Sequence, residues 1–280
     1  MKSVIQSIVL AFVGTLFFTN SFAQYYYKDI LSNKDLLVEM AKYKEQKIRT
    51  ISVKSFEEDG TASEGFFLEK KISKNFRTVE TLSRSYMSSP SMLTANFNSQ
   101  GLLERTSDSS DIAVRSSNYS YSDKGQLLAI YSSARSSDDD FLNEITEAHL
   151  YEYDANGLLL KMYRIKNNAD TTLILFSADE KGNVSIEKDT KSGSKYFYYY
   201  DTKNRLTDVA HANDFQQNLY PDYMFEYNAA GQITQMVNTE EGANKYYFTW
   251  KYSYADGLRI KEKCYSKEKR LLGSVDYEYK

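Results

Sequence analysis

His149–Ile165, HLYEYDANGLLLKMYRI, alternates apolar and polar residues from Leu150 to Tyr153, turns through Asp154-Ala155-Asn156-Gly157, and returns as a second strand from Leu158 to Ile165. The hairpin is encoded locally. Gly157 takes φ > 0 without steric cost, and Asp154 and Asn156 bond their own backbone through the turn. Outward from this stretch the same frame recurs: an aromatic anchor, five residues, then an aliphatic. It runs from Phe97 to Leu103, Tyr121 to Leu127, Tyr153 to Leu159, Tyr200 to Leu206, Tyr227 to Ile233 and Tyr254 to Ile260, with Ala178 to Val184 as a degenerate copy. A second aromatic lies two residues before most anchors, at Tyr119, Tyr151, Phe176, Tyr198, Phe225 and Tyr252. Glycine falls four after the anchor at Gly101, Gly125, Gly157, Gly182 and Gly231; Asn204 replaces it in one copy, and in the last it slips one place to Gly257. Asn is the substitute that tolerates the left-handed region.

Anchors spaced 22 to 32 residues apart signal stacked supersecondary units. One hairpin per unit predicts an all-β antiparallel meander of about 14 to 18 strands. Such a sheet cannot stay flat, so it is expected to curl into an open barrel or a superhelical sheet, with anchor and aliphatic paired across each turn. The segments YSYSDKGQL (119–127), YEYDANGLL (151–159), YYYDTKNRL (198–206) and FEYNAAGQI (225–233) resemble the YD repeat of the Rhs family, whose core is Tyr-x-Tyr-Asp-x-x-Gly-Arg-Leu. The resemblance runs from Leu93 to the C-terminus, about two thirds of the chain. It implies β-structure of the kind that forms cargo-wrapping shells in Rhs and teneurin proteins, or one of the related short secreted bacterial proteins that carry the repeats without a cargo. No Gly-Arg pair occurs in any copy, Asp follows an anchor tyrosine directly only at Asp154 and Asp201, and no toxin-like domain follows the last repeat.

Met1–Ala23 has Lys2, an apolar run from Ile8 to Phe18 and a small-x-small site at Ser21-Phe22-Ala23, the pattern of a secretory signal peptide. Export to the cell envelope or medium is expected, with a mature chain beginning at Gln24 and no stable membrane insertion afterwards. No cysteine follows the site to carry a lipid anchor. Residues 24–48 form the one expected helix, from Tyr25 to Lys47: Ser32 followed by Asp35 suggests an N-cap, and Leu36, Leu37, Met40 and Tyr43 fall on one stripe. A lone amphipathic helix ahead of a repeat array is expected to cap its first edge strand. The other reading, a partner-binding or membrane-surface helix, asks for a more uniformly basic polar face. Residues 49–280 then make the repeat domain. Thr50–Phe56, Gly65–Ile72 and Phe76–Leu82 are its irregular first strands, and the serine-rich runs Ser83–Ser91 and Ser132–Asp140 are expected to be loops.

Fifteen percent aromatics, 25 tyrosines and 2 prolines are the composition of a sheet in which rings pack while their hydroxyls reach water. A net charge of −3 argues against nucleic acid or anionic membrane as partner. Cys264 stands alone, so there is no disulfide framework, and it reads as a small apolar strand residue. Asp138, Asp139 and Asp140 do not make a calcium loop, because Leu142 and Asn143 stand where a ligand and a glycine belong. His149 and His211 have no metal-ligand spacing to another His or Cys, and no nucleophile elbow, phosphate loop or dinucleotide fingerprint occurs. No catalytic residue, cofactor or metal is therefore assigned. Two functions remain: a non-enzymatic structural or binding scaffold whose partner is a protein or polysaccharide of the envelope, and a glycan-binding or glycoside-active module using surface tyrosines. The last segment, Val275–Lys280, is half a repeat. It either closes the roll against an early strand or offers a docking edge.

Overall fold

The computed structural model of the protein describes residues 24–86, 88–138, 144–213, 216–239 and 246–280. The expected signal peptide, Asp139, Asp140, Leu142 and Asn143 lie outside them. Eighteen strands form one antiparallel meander: β1 (Thr50–Glu57), β2 (Phe67–Ile72), β3 (Thr78–Ser85), β4 (Ser88–Phe97), β5 (Leu103–Ser109), β6 (Ala113–Tyr121), β7 (Leu127–Ser136), β8 (Glu144–Tyr153), β9 (Leu159–Lys166), β10 (Asp170–Ala178), β11 (Val184–Asp189), β12 (Lys195–Tyr200), β13 (Leu206–Asn213), β14 (Gln216–Tyr227), β15 (Ile233–Thr239), β16 (Tyr247–Ala255), β17 (Leu258–Tyr265) and β18 (Leu271–Tyr279).

Each strand pairs with the next, and β18 pairs with β1 from Ile51↔Tyr279 to Glu57↔Gly273. The curl goes further than the open barrel or superhelical sheet expected: the barrel is closed, and of the two readings of the half repeat at the C-terminus, closure against an early strand is the one realised. Closure removes both unpaired edges. The serine-rich runs also differ from expectation, because β3 extends through Ser85, β4 starts at Ser88 and β7 runs to Ser136. Cross-strand hydroxyl pairs hold them in the sheet: Ser117 with Ser132 at 2.7 Å, Ser116 with Ser133 at 3.2 Å and Ser85 with Ser88 at 2.9 Å.

Seven turns along one rim repeat one geometry with a local chemical cause. In the Asp154 turn, Gly157 N–H donates to the Asp154 carbonyl at 3.0 Å with Gly157 at φ 85°, and Leu158 N–H donates to the Asp154 carboxylate at 2.8 Å. Asn98, Ser122, Asp179, Asp201 and Asn228 accept the same bond from the residue four ahead. Any short side chain with an acceptor oxygen serves, which is why Asp need not follow every anchor. Asn204 takes φ 59° in place of glycine, and Phe76 does so at φ 58° in the first turn, with the Arg49 guanidinium 3.6 Å above its ring. Beside six of these turns, and beside the shorter turn after Tyr254, the register shifts by one residue, immediately before Phe97, Tyr121, Tyr153, Ala178, Tyr200, Tyr227 and Tyr254. This bulge faces the anchor and its aliphatic partner to the same side.

Before the strands, Tyr26–Leu31 is π-helical and continues into α1 (Ser32–Glu45). Ser32 is not an N-cap. It lies inside the continuous helix at φ −61°, its hydroxyl donating to the Tyr27 carbonyl. Nor does the helix cover an edge. Glu39 reaches Lys70 on β2, Asn33 reaches Tyr121 on β6, Asp29 reaches Tyr151 on β8, Tyr25 reaches Arg164 on β9, Tyr27 packs on Tyr223 of β14, and Tyr43 packs on Tyr279 of β18. One helix meets strands all round a closed ring only from inside, so it plugs the lumen. Its C-terminal end leaves at the repeat-turn rim, where Lys42 and Gln46 bond the carbonyls of Gly257 and Asp256.

Candidate functional site in the plugged lumen

The repeat residues line the lumen wall. Tyr121 lies opposite Leu127, Tyr153 opposite Leu159, Tyr200 opposite Leu206 and Tyr227 opposite Ile233, while Tyr151, Tyr198 and Tyr252 are buried beside them; Gly125, Gly157 and Gly231 occupy the positive-φ turn positions. The anchor hydroxyls do not reach water as composition suggested. Tyr153 donates to the carbonyl of Leu127, Tyr200 to Val184, Tyr227 to Leu206, Tyr254 to Ile233 and Tyr279 to Arg259, at 2.6 to 2.9 Å. Each acceptor belongs to the previous repeat and lies two residues beyond the last pair of the ladder to the donor's strand: Ala129↔Leu150, Ile186↔Phe197, Asp208↔Met224, Gln235↔Lys251 and Lys261↔Asp276. The hydroxyls thus continue the bonding where the ladder between hairpins ends, and they tie successive hairpins together.

The last copy breaks this pattern. Its turn is one residue shorter, with Asp256 at φ 50° and Gly257 at φ 79°, so Tyr254 faces Arg259 and not Ile260. Ile260 becomes the bulge residue and is 39% exposed, and Leu258 fills the buried position nearby. A cation consequently enters the lumen wall where other copies place an aliphatic. Arg259 lies 4.3 Å over the Tyr252 ring and bonds Glu262 at 2.9 Å, and Glu262 also accepts the Tyr277 hydroxyl at 2.6 Å.

Beside this arginine is a cavity of about 170 Å³, lined by Val53, Leu68, Trp250, Val275, Tyr277 and Tyr279 together with Glu39, Lys70, Arg259 and Glu262. Val53, Leu68, Trp250 and Val275 are almost fully buried, and Tyr277 and Tyr279 are partly so. Arg259, Lys70 and Glu39 keep 36%, 22% and 46% of their side chains accessible, so the charged groups are the wetter part of the lining.

Two further polar clusters hold the start of the helix. His149 sits between Asp29 on Nδ1 and Glu147 on Nε2, and the Tyr151 hydroxyl donates to the same Asp29. Burial opposes a charge on His149, but the adjoining Asp29 and Glu147 carboxylates outweigh it and raise its pKa to about 9. Glu187, fully buried on β11, accepts the N–H of Tyr25 at 3.0 Å, the N–H of Tyr26 at 2.9 Å and the Tyr198 hydroxyl at 2.8 Å. Burial pushes this carboxyl up to about 7 against those three donors. A carboxylate facing the first turn of a helix is the favourable sign for its dipole.

Sequence reasoning treated His149 as an unremarkable strand histidine and did not single out Asp29, Glu187, Arg259 or Glu262. Only Arg259 left a trace, the slipped glycine at Gly257. His211 meets Asp222 at 2.8 Å on β14 and lies far round the wall from His149 on β8. Cys264 is buried in β17, and burial pushes its thiol up to about 12. No group of three metal-ligating side chains is placed together among the described residues.

No family model matches the chain, and no curated protein matches it. Among solved structures, a porin-like protein from Bacteroides uniformis ATCC 8492 is similar at 11% identity with a TM-score of 0.33, covering 83% of this chain and 98% of that one. The toxin complex TcdB2-TccC3-Cdc42 is similar at 11% identity with a TM-score of 0.25, covering 86% of this chain and 17% of that one. Both scores lie below 0.5, and the fold assignment rests on the strand pairing itself.

Proposed function

We propose that the chain is a non-enzymatic scaffold of the cell envelope or extracellular space: a water-borne β-barrel, rigidified by its own N-terminal helix, that meets partners with its outer surface. The observation that carries this reading is the engagement of the anchor tyrosines, whose hydroxyls are bonded to wall carbonyls or, at Tyr121, to Asn33 of the helix, and whose rings face the plug. A ring in that position cannot serve as a stacking platform for a glycan. Of the exposed tyrosines, Tyr131 on β7 and Tyr199 on β12 lie five strands apart, too far round the wall to share one groove. Where the YD-repeat shells that the sequence resembles wrap a cargo, this barrel wraps its own helix.

The outer face supports a location in water. Lys54, Glu80, Glu152, Lys188, Lys251 and Lys263 are exposed on strands distributed round the barrel. A lysine at the bilayer midplane costs about 2–4 kcal/mol on a lipid-facing barrel wall. Fractionation tests the location: the protein is expected in the detergent-free soluble fraction, and a requirement for detergent would overturn it. Calorimetric titration with a panel of oligosaccharides tests the class. No heat is expected; saturable binding weakened by Tyr131→Ala or Tyr199→Ala would establish the glycan-binding reading in its place.

A further inference from the structure

The shortened final turn does two things at once. It removes an aliphatic from the wall, and it places Arg259 in the lining of a cavity of about 170 Å³ that remains beside the plug. The cavity has an apolar part, made by Val53, Leu68, Val275 and Trp250, and a polar part made by Lys70, Arg259, Glu39 and Glu262. The volume is below the few hundred Å³ typical of a site for a drug-sized molecule, so an occupant is small.

Charge decides the chemical class. Glu262 is already engaged by Arg259 and the Tyr277 hydroxyl, which leaves the remaining guanidinium donors of Arg259 and the ammonium of Lys70 on the positive side. On the negative side Glu39 stands 4.0 Å from Lys70, at the limit of an ion pair and not in hydrogen-bond contact. Two cations and two carboxylates line the cavity, and their formal charges cancel. A simple anion entering there would meet Glu39 and Glu262 as well as the cations, whereas a molecule carrying both signs satisfies each. We propose that this cavity binds a small zwitterion, an α-amino acid with a short aliphatic side chain: the carboxylate toward Arg259 and Lys70, the ammonium toward Glu39, and the side chain against Val53, Leu68, Val275 and Trp250. Glu39 belongs to α1, so an occupant bridges plug and wall. This proposal is independent of the scaffold reading and of export.

Trp250 is the single tryptophan of the chain and lines the cavity, so its emission reports occupancy directly. The test is a fluorescence and calorimetric titration of the full protein with L-valine, with 3-methylbutanoate, which lacks the ammonium, and with isobutylamine, which lacks the carboxylate. L-valine is expected to shift Trp250 emission saturably, with each single-charge analogue at least about tenfold weaker. Glu39→Gln should weaken valine and strengthen 3-methylbutanoate, which no longer meets that carboxylate, so that the preference for valine is lost, and Lys70→Met should weaken both. Both replaced side chains are partly accessible, and an unchanged melting temperature confirms that the variants fold. Equal binding of valine and 3-methylbutanoate, or valine binding indifferent to Glu39→Gln, overturns the zwitterion assignment. No change in Trp250 emission with any of the three up to about 10 mM, beyond which binding is weaker than about 3 kcal/mol, overturns the site.

Discussion

At the residue scale, the wall is built from small local bargains between a bulge, a turn and a hydroxyl. Tyr227 illustrates the last: its hydroxyl meets the Leu206 carbonyl at 2.6 Å, two residues beyond the last β13–β14 pair, Asp208↔Met224. Tyr227→Phe should destabilise by about 1–2 kcal/mol in urea unfolding, because a partly buried acceptor loses its donor. Tyr121→Phe, whose hydroxyl meets Asn33 and no wall carbonyl, is the control for ring polarity alone. Equal losses in the two variants would show that the carbonyl contact contributes nothing special. The turns allow a cleaner contrast. Gly231 has φ 81° and open space where a Cβ would sit, so Gly231→Val isolates backbone strain and should cost more than about 1 kcal/mol. Asn204→Gly, at φ 59°, should be neutral or slightly stabilising by the same measurement. Turn residues were legible in the sequence because donor and acceptor lie within four positions. The hydroxyl contacts were not, since Tyr227 and its acceptor are 21 positions apart and only the pairing of β13 with β14 brings them together.

At the element scale, the plug helix is held by two charge clusters as well as by its apolar residues, of which Tyr26, Ile30, Met40 and Tyr43 are buried. Tyr25, Tyr26 and Tyr27 meet three separated parts of the wall, at His149, Tyr198 and Tyr223, so the helix is contacted on several sides at its start. The stripe of Leu36, Leu37, Met40 and Tyr43 described one face correctly, but a one-sided stripe does not distinguish an edge from an enclosing wall. Three successive tyrosines were the sequence signal for enclosure, because no single packing face accepts residues at i, i+1 and i+2. The charge clusters predict how the plug responds to pH. His149 is raised above its unfolded value of 6.5 to about 9, so its stabilisation is complete below pH 6.5 and is lost as pH rises through 9. Glu187 is raised from 4.5 to about 7; its burial costs nothing while it is protonated and is imposed as pH rises through 7. Both slopes have the same sign. Melting temperature should therefore fall from pH 5 to pH 9.5, Glu187→Gln flattening the lower half of the fall and His149→Gln the upper half. A wild-type melting temperature that is constant or rising over this range would show that neither cluster bears on folding.

At the scale of the whole molecule, the repeats specified hairpin count and strand direction, and the structure added closure. Each hairpin carries its own turn, pair and bulge, so a meander was legible from any one of them; whether its ends meet depends on twist accumulated over eighteen strands, which no local pattern records. Only Val275–Lys280, a half repeat without a return strand, hinted that its partner lies elsewhere, and it pairs with β17 on one side and β1 on the other. Closure is testable by a covalent bond across the seam. Ser52 and Glu278 are directly opposed on β1 and β18, two residues from Thr50 and Lys280, which exchange both backbone hydrogen bonds. Opposed residues of such a pair lie about 5.5 Å apart at Cα, within the range a disulfide spans. In Ser52→Cys, Glu278→Cys the new thiols face outward, and buried Cys264, with its thiol pushed up to about 12, does not compete. The bond should form quantitatively on mild oxidation of the folded protein. Because it closes a loop of well over 100 residues in the unfolded chain, chain entropy alone favours the folded state by about 5 kcal/mol, so the oxidised form should melt well above the reduced one. An open roll makes the opposite prediction: the two cysteines then sit on separate edges, oxidation yields linked dimers or free thiols, and the melting temperature of the monomer does not move.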